Sequence, residues 1–260
     1  MEKKRLLLEG CVDSYASAVA AAAGGAGRLE LCANLCIGGT TPSPELFLQV
    51  RQAVGIPVNV LIRPRFGDFL YTEMELREIC GCIERFRQLG ADGIVAGALT
   101  PDGALDGEAM ARLLAAAGGL PFTLHRAFDM ARDPFAALED AVRLGCRVIL
   151  TSGQAQSAPE GAALLAALKR RAAGRIELMA GGGVKSGNIP ALYRQTGLCS
   201  YHTSGRQGAT ESGMRYRKQG VSMGLPSLSE YEVWRANEEE FAACAAALQA
   251  LEQEEQEGQA

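Results

Sequence analysis

Five short apolar segments of this 260-residue chain carry side chains that can transfer protons or bind ions. Carboxylates and imidazoles exchange protons near neutral pH, arginine binds carboxylates and phosphates, and thiolates bind soft metal ions. These segments therefore predict an acid–base site or a metal site. The side chains concerned are Glu9 and Cys11 in LLLEGCV, Glu30 and Cys32 in RLELC, Arg63 in VNVLIR, His125 in FTLHR and His202 in SYHTS.

The spacing of these side chains indicates that they share the inner face of a sheet. Successive residues of a strand point to opposite faces, so Glu30 and Cys32 share one face while Leu29 and Leu31 share the other. We expect the leucines to meet outer helices and Glu30 and Cys32 to point inward. The same frame places these further residues inward: Glu9, Cys11, Asn59, Leu61, Arg63, Thr123, His125, Glu177, Met179, Ser200, His202 and Ser204.

Eight strand-like segments alternate with alanine-rich helical stretches, and this rhythm predicts the fold. Gly90, Gly145 and Gly197 each follow a helical stretch and precede an apolar strand, as in a short connection from helix to strand. Strands that alternate with helices pair in parallel, and eight such units predict an α/β fold, a TIM (β/α)8 barrel. The predicted strands lie around Leu6–Val12, Arg28–Ala33, Val58–Arg63, Gly93–Gly97, Phe122–Arg126, Val148–Thr151, Ile176–Ala180 and Ser200–Ser204.

The domain prediction is a single domain over residues 1–260. We expect the barrel at about 6–225 and a C-terminal helical extension, a loop and helix, at 226–260. The helix is expected to carry the only tryptophan, Trp234, and its acidic end, 251–260, is expected to be frayed. An open doubly wound sheet is the alternative fold, but its dinucleotide fingerprint is missing.

Both histidines fall at the C-terminal ends of predicted strands, the end that carries the active site in TIM barrels. The predicted interior is also more polar than the usual filling of valine, isoleucine and leucine. These observations favour a catalytic set at the mouth of the barrel. The alternative is an architectural network in which paired charges hold the strands in register. The hypothetical catalytic residues are Glu9, Glu30, Arg63, His125 and His202.

A repeated phrase points to an anion site. The chain reads AGRLELCAN from Ala26 and AGRIELMAGGG from Ala173, and only the second copy ends in glycines. The loops after strands seven and eight form a common phosphate site in these barrels, and glycines let an anion approach the backbone. The alternative is a tight turn between strand and helix. The predicted anion-binding residues are Gly181, Gly182, Gly183, Ser204 and Arg206.

Two cysteines suggest a metal site at the same end of the barrel. Cys11 and Cys32 are predicted at matching ends of adjacent strands, which lie roughly 4.8 Å apart. Two thiolates in register suit Cu(I), whereas Zn²⁺ usually takes four ligands. The alternative is that both cysteines are small core residues.

Composition limits the partners and the compartment. The formal net charge is -4, which does not favour nucleic acid or an anionic membrane as partner. No apolar run reaches the roughly 18 residues of a membrane span, and the N-terminal stretch MEKKRLLLEG is too charged for a signal peptide. We therefore expect a cytoplasmic protein. Its 8 cysteines are then expected to be core residues, redox sites or metal ligands rather than disulfides.

Several motifs in order resemble the copper homeostasis protein CutC family. The resemblance runs from about Leu7 to Tyr231 through LEGCVDS, GRLELCANLCIGGTTPS, VLIRPRFGDFLYT, GALTPDGALD, TLHRAFDMARDP, ILTSG, GRIELMAGGGV and SGMRYRKQGVSMG. It implies a TIM barrel, a cytoplasmic protein, a homo-oligomer and a role in copper handling. Cysteines in the family's first two motifs are proposed copper ligands, and they match Cys11 and Cys32 here.

Two functional hypotheses follow. In the first, the chain binds Cu(I) as a cofactor, with Cys11 and Cys32 as thiolate ligands and a nearby methionine or histidine as auxiliary donor. In the second, it is a barrel enzyme for a small phosphorylated or carboxylated metabolite. Glu9 or Glu30 is then the general base, His125 or His202 the general acid and Arg63 the anion clamp, and the loops after strands seven and eight bind the anion. A non-catalytic scaffold is a third reading.

Overall fold

A computed structural model describes residues 5–225 and 228–257. Eight parallel strands close into a barrel in the order β1 to β8, and β8 pairs with β1. The predicted TIM barrel is confirmed, with most strands ending one or two residues earlier than expected. The strands are β1 (Leu7–Val12), β2 (Arg28–Leu31), β3 (Val58–Leu61), β4 (Gly93–Ala96), β5 (Phe122–Leu124), β6 (Val148–Thr151), β7 (Glu177–Ala180) and β8 (Ser200–Thr203).

One long helix follows each strand, and local sequence signals set several helix ends. Thr72 and Glu75 form a reciprocal capping box at the start of α3, and Asp133 caps α5 ahead of Pro134. Gly145 ends α5 in the left-handed conformation that glycine adopts without strain. The helices are α1 (Tyr15–Ala23), α2 (Pro44–Ala53), α3 (Glu73–Gln88), α4 (Gly107–Ala117), α5 (Pro134–Leu144), α6 (Ala162–Ala172), α7 (Ile189–Thr196) and α8 (Glu238–Glu257).

The main core lies between the barrel and the helices. Leu29, Leu31, Val58 and Val60 are fully buried there, on the outward face of the strands. A separate apolar cluster of Cys11, Cys32, Leu61 and Val95 fills the inside of the barrel. The predicted alternation of inward and outward residues is therefore confirmed for these strands.

The predicted register of the two inward cysteines is wrong. Cys11 on β1 is paired with Glu30 on β2, and Cys32 lies two residues further along its chain. The strands of a closed barrel are tilted and staggered, so neighbouring strand ends are not level. Cys11 and Cys32 are consequently diagonal neighbours, with Glu30 opposite Cys11.

The chain after β8 differs from the predicted arrangement. Trp234 does not lie on a helix but in β10 (Glu232–Trp234), which pairs antiparallel with β9 (Ala209–Glu211). Helix α8 begins only after Asn237, whose side chain accepts a hydrogen bond from the backbone N–H of Glu240 (3.1 Å) as an N-cap does.

Helix α8 continues into the acidic segment that was expected to be frayed. It runs to Glu257, and Leu251 is buried against the core. The remaining residues, 258–260, lie outside the described part of the chain. Helix α8 packs against α1 and α7 and so takes the eighth place in the ring of helices.

Candidate functional site

A cavity of about 360 Å³ opens at the C-terminal ends of the strands. It is lined by residues of β1, β2, β3, β6 and β8 and of the loops that follow β2, β3, β5, β7 and β8, as expected for the active-site end of a TIM barrel. Of the predicted site residues, Glu9, Cys32 and Gly181 do not line it. Those that do are Cys11, Glu30, Arg63, His125, Gly182, Gly183, His202, Ser204 and Arg206.

Glu9 is buried behind His202, to which it is hydrogen-bonded, and does not line the cavity. One carboxylate oxygen accepts a hydrogen bond from Arg28, and the other lies 2.8 Å from His202 Nδ1. Burial raises the pKa of Glu9, but the hydrogen bond and charge of His202 together with Arg28 outweigh it, so the net pKa is lowered. Glu9 is therefore an anion that orients His202.

Cys11, Glu30 and His202 form a compact cluster at the floor of the cavity. The Cys11 sulfur, a Glu30 carboxylate oxygen and a His202 ring nitrogen all lie within 4.8 Å of one another. Burial raises the pKa of Glu30 to about 7. Burial lowers the pKa of His202, but Cys11 and Glu30 raise it more, and its net pKa is well above the usual value. Nδ1 of His202 is bonded to Glu9, which leaves Nε2 for a metal ion or substrate.

The two predicted thiol ligands lie together in the apolar cluster inside the barrel, with Leu61 and Val95. The Cys11 thiol donates to Glu30 Oε1 at 3.7 Å, and the Cys32 thiol donates to the Val12 carbonyl at 3.5 Å. A side-chain contact with Cys32 and burial raise the pKa of the Cys11 thiol well above its usual value. A bound cation would therefore have to displace a thiol proton.

His125 is a neutral hydrogen-bond donor of defined tautomer. Its Nδ1 accepts a hydrogen bond from the backbone N–H of Ala127 at 3.2 Å, so the proton of the neutral ring lies on Nε2. Burial and the nearby Arg63 charge lower the pKa of His125 to about 3. Nε2 is buried and bonds to no residue that the structure describes. His125 can stabilise a substrate oxygen but is a poor source of protons.

Arg63 mainly holds the loops at the rim of the cavity. Its Nη1 donates to the carbonyls of Gly38 and Gly39 (3.2 Å each), and its Nη2 donates to Gly67 (2.7 Å). The Tyr71 hydroxyl contacts the guanidinium without completing a hydrogen bond, and Nε also lacks a partner among the described residues. Most of the hydrogen-bond donors of Arg63, the predicted anion clamp, are therefore already bonded to backbone carbonyls.

The predicted anion residues divide into two groups. Gly182, Gly183 and Ser204 line the cavity. The N–H of Gly181 instead donates to the Thr151 carbonyl (3.0 Å), as a continuation of the sheet. Arg206 lines the cavity, and its Nη2 is paired with Asp13, 2.7 Å from both carboxylate oxygens.

Sequence reasoning missed the role of Arg126 and its neighbours. Asp129 accepts hydrogen bonds from Thr151 Oγ1 (2.5 Å), Ser152 N (3.0 Å) and Gln154 N (3.2 Å), and it pairs with Arg126 Nε (2.7 Å). Arg126 Nη2 also donates to Ser152 Oγ at 3.0 Å. The signal was present in the motif TLHRAFDMARDP, but nothing in it shows which of its charges reach the cavity.

No helix among the described residues is long and apolar enough to cross a membrane.

The sequence and structure match known proteins over most of the chain. The CutC family model matches residues 6–207. A family protein CutC of Chromobacterium violaceum is 49% identical over 225 residues, which cover 86% of this chain and 91% of the relative. A human copper homeostasis protein cutC homolog is 47% identical over 228 residues, which cover 87% of this chain and 83% of the relative.

Solved structures agree with the sequence comparison. A protein of Streptococcus agalactiae that bears the name copper homeostasis protein CutC has a TM-score of 0.74 at 36% identity, over 76% of this chain and 98% of its own. Thiamine phosphate pyrophosphorylase from Pyrococcus furiosus has a TM-score of 0.59 at 12% identity, over 96% of this chain and 98% of its own, and shows the fold alone. The chain therefore belongs to the CutC family.

Proposed function

We propose that this protein binds Cu(I) at the floor of the cavity, through Cys11 and His202, which line it, and Cys32, which is packed against Cys11. The observation that carries the proposal is the clustering of the Cys11 sulfur and a His202 nitrogen within 4.8 Å, with Cys32 in contact with Cys11. Thiolates and imidazole are ligands that copper accepts. The names of the relatives agree with a role in copper homeostasis.

The surroundings of the cluster fit a bound metal ion. His202 donates Nδ1–H to the Glu9 carboxylate, which is the arrangement that orients a metal-binding imidazole and makes its other nitrogen more basic. Glu30 is a hard oxygen ligand and is not expected to bind Cu(I) directly. It can instead accept the proton that Cys11 loses when the metal binds.

The test is anaerobic competition for Cu(I) between the protein and a coloured chelator. We expect the wild-type protein to take one equivalent and the Cys11→Ser, Cys32→Ser double variant to take none. The matched control is Cys80→Ser, Cys82→Ser, which changes two half-buried thiols on α3 outside the cavity. Equal uptake by the two double variants would reject the proposal.

A second function is favoured by polar atoms that a Cu(I) site does not use. Glu30 Oε2 and His125 Nε2 are buried, belong to residues that line the cavity and have no hydrogen-bond partner within the described residues. A buried polar group without a partner costs roughly 1–3 kcal/mol, so such groups in a cavity indicate a ligand that bonds to them. The alternative function is acid–base catalysis on a small anionic metabolite.

The structure supports particular roles in that reaction. Glu30 would be the general base, because its pKa of about 7 suits proton transfer and one oxygen is free. His202 would return the proton, because the Glu9 carboxylate stabilises its charged form. His125 would donate Nε2–H to the substrate oxygen on which charge develops. Glu9 has no route to the substrate in this arrangement.

Proton exchange tests the catalytic function across a panel of candidate substrates. Small carboxylates and phosphate esters are incubated with the metal-free protein in D2O, and loss of C–H signals is followed by NMR. We expect exchange into at least one compound, abolished in Glu30→Gln and retained in Cys36→Ser, which alters an exposed thiol. Exchange that survives Glu30→Gln would remove Glu30 as the base.

A further inference from the structure

The turn after β7 presents three successive backbone N–H groups that have no acceptor in the described part of the chain. Gly182 and Gly183 have φ angles of 89° and 70°, a left-handed conformation that favours glycine. The carbonyls of this turn are bonded to protein: Gly182 to Ala158 N (2.8 Å), Gly183 to Asn188 Nδ2 (2.8 Å) and Val184 to Thr203 Oγ1 (2.8 Å). The N–H groups of residues 182–184 donate to no described residue. Successive N–H groups of this kind form an anion-binding concavity.

Arg126 is positioned against this turn. Asp129 binds its Nε and Ser152 binds its Nη2, so the guanidinium plane is held in place. Its Nη1 makes no hydrogen bond among residues 5–225 and 228–257, and a Cβ added at Gly182 would lie 3.3 Å from it. The absence of a side chain at Gly182 therefore leaves a space between Nη1 and the bare backbone.

The charges around the turn favour an anion in that space. Arg126 and Lys185 both line the cavity, and Lys185 forms no ion pair within the described part of the chain. The carboxylate of Glu240, which also lines the cavity, accepts hydrogen bonds from Ser186 N (2.8 Å) and Ser186 Oγ (3.2 Å). Two cations thus flank the turn. Asp129 pairs with Nε of Arg126 and leaves Nη1 open, and the carboxylate of Glu240 is already hydrogen-bonded to Ser186.

A second observation points to a ligand that extends from the turn to the floor of the cavity. His125 is 4% exposed and Glu30 is 3% exposed, and each has a polar atom in the same cavity with no described partner. A cavity of about 360 Å³ is at the small end for ligand sites. It accommodates a compact molecule with an anionic end and a polar end.

We infer that the cavity binds a small phosphate monoester, with its phosphate on the N–H groups of residues 182–184, Arg126 and Lys185. Three N–H donors and two cations match the several oxygens and the double charge of a phosphate better than the single charge of a carboxylate. The uncharged end of the metabolite then reaches His125 and Glu30. This inference rests on the catalytic function proposed above and names the class of its substrate.

The experiment measures binding of inorganic phosphate to the full-length, metal-free protein by isothermal titration calorimetry. We expect saturable 1:1 binding by the wild-type protein, weakened about tenfold or more in Arg126→Gln, because a charge-assisted hydrogen bond is lost. Asp129 keeps its other donors in that variant. The matched control, Arg132→Gln, removes the same charge from an exposed residue outside the cavity and should bind phosphate as the wild type does.

A second pair of variants tests the backbone. Gly182→Ala places a methyl group between Arg126 and the N–H groups of residues 182–184 and should abolish phosphate binding. Gly187→Ala places its methyl group where no described atom lies within 4 Å and should preserve phosphate binding. Thermal melts show whether Gly182→Ala has folded. If it has not, the phosphate titration of Arg126→Gln tests the inference by itself.

Three outcomes would overturn the inference: no phosphate binding by the wild type, equal weakening in Arg126→Gln and Arg132→Gln, or acetate binding as tight as phosphate. Failure of the catalytic proposal is separate, because binding is measured without turnover. If phosphate binds but no compound exchanges protons, the proposed anion site stands and the proposed catalytic function is rejected. We expect the Cys11→Ser, Cys32→Ser double variant to retain phosphate binding, since neither thiol belongs to the proposed phosphate site.

Discussion

At the scale of residues, the two histidines show how burial and neighbours set opposite protonation states. His125 lies beside Arg63 and has no acidic partner among the described residues, so burial keeps it neutral with a pKa of about 3. His202 lies between Glu9, Glu30 and Cys11, and its pKa is raised well above the usual value. Two side chains of one type therefore supply a neutral donor and a charged acid in one cavity.

This difference predicts opposite effects of pH on stability. The unfolded chain protonates His125 near pH 6.5 but the folded chain does so only near pH 3, so His125 lowers the free energy of unfolding as the pH falls between these values. The slope is at most about 1.4 kcal/mol per pH unit. His125→Asn keeps an acceptor for Ala127 N–H and should lose this slope, as measured by urea unfolding from pH 4 to 7.

His202→Asn is the matched comparison, with the opposite sign. The raised pKa of His202 adds stability that is fully present below pH 6.5 and is lost as the pH rises through the folded value. The variant should therefore become less sensitive to alkaline pH and keep the acid slope of the wild type. A constant difference between wild type and His125→Asn from pH 4 to 7 would contradict the assignment of His125 as buried and neutral.

At the scale of elements, the loop after β6 depends on a close approach of two backbones. Gly153 has a φ of 71°, and a Cβ there would lie 2.4 Å from the Gly161 carbonyl. A Cβ at Gly161, at the start of α6, would lie 1.9 Å from the Ser152 carbonyl. This contact fixes the position of Ser152, which is hydrogen-bonded to Asp129 and Arg126. The loop that positions Arg126, the proposed ligand of the phosphate, therefore has no room for side chains at Gly153 and Gly161.

We predict that Gly161→Ala lowers the free energy of unfolding by about 1–3 kcal/mol or more, because the backbone must move to admit the methyl group. Gly107→Ala is the control, since Gly107 is the first residue of α4 and a Cβ added there would meet no described atom within 4 Å. It should stabilise the protein by up to about 1 kcal/mol through helix propensity. Urea midpoints measure both variants. An unchanged free energy of unfolding in Gly161→Ala would contradict the close approach of Gly161 to the Ser152 carbonyl.

At the scale of the whole molecule, α8 closes the ring of helices over the seam between β8 and β1. Phe241 is fully buried, and its side chain fills the space that Cβ atoms at Gly10, Gly24 and Gly205 would occupy. These glycines come from β1, the end of α1 and the loop after β8. One aromatic side chain therefore joins the last helix to β1, to the end of α1 and to the loop after β8.

Phe241→Ala should lower the free energy of unfolding by about 3–5 kcal/mol, because it leaves a cavity at a site packed on three sides. Phe135→Ala, on the half-exposed start of α5, is the control and should cost much less. Thermal and urea unfolding measure both variants. Similar losses in the two would show that α8 is not part of the cooperative unit.

The sequence by itself determined the closed barrel and the inner face of its strands. Alternation at a period of two is a local property, so the inward positions of Cys11, Glu30, Arg63, His125 and His202 could be predicted from the strand segments alone. Glycines after helices and polar N-caps also act over a few residues. The strong CutC motifs, which run in order along the chain, similarly pointed to the family that the comparisons confirmed.

Only the tertiary structure decided which of those groups have partners. The stagger of a closed barrel set Glu30, not Cys32, opposite Cys11. Asp13 and Arg206 are 193 residues apart, yet they form an ion pair at the cavity. Trp234 joined a strand because β9 lies beside it. Pairing energies depend on distances between remote segments, and periodicity in the sequence carries no information on those distances.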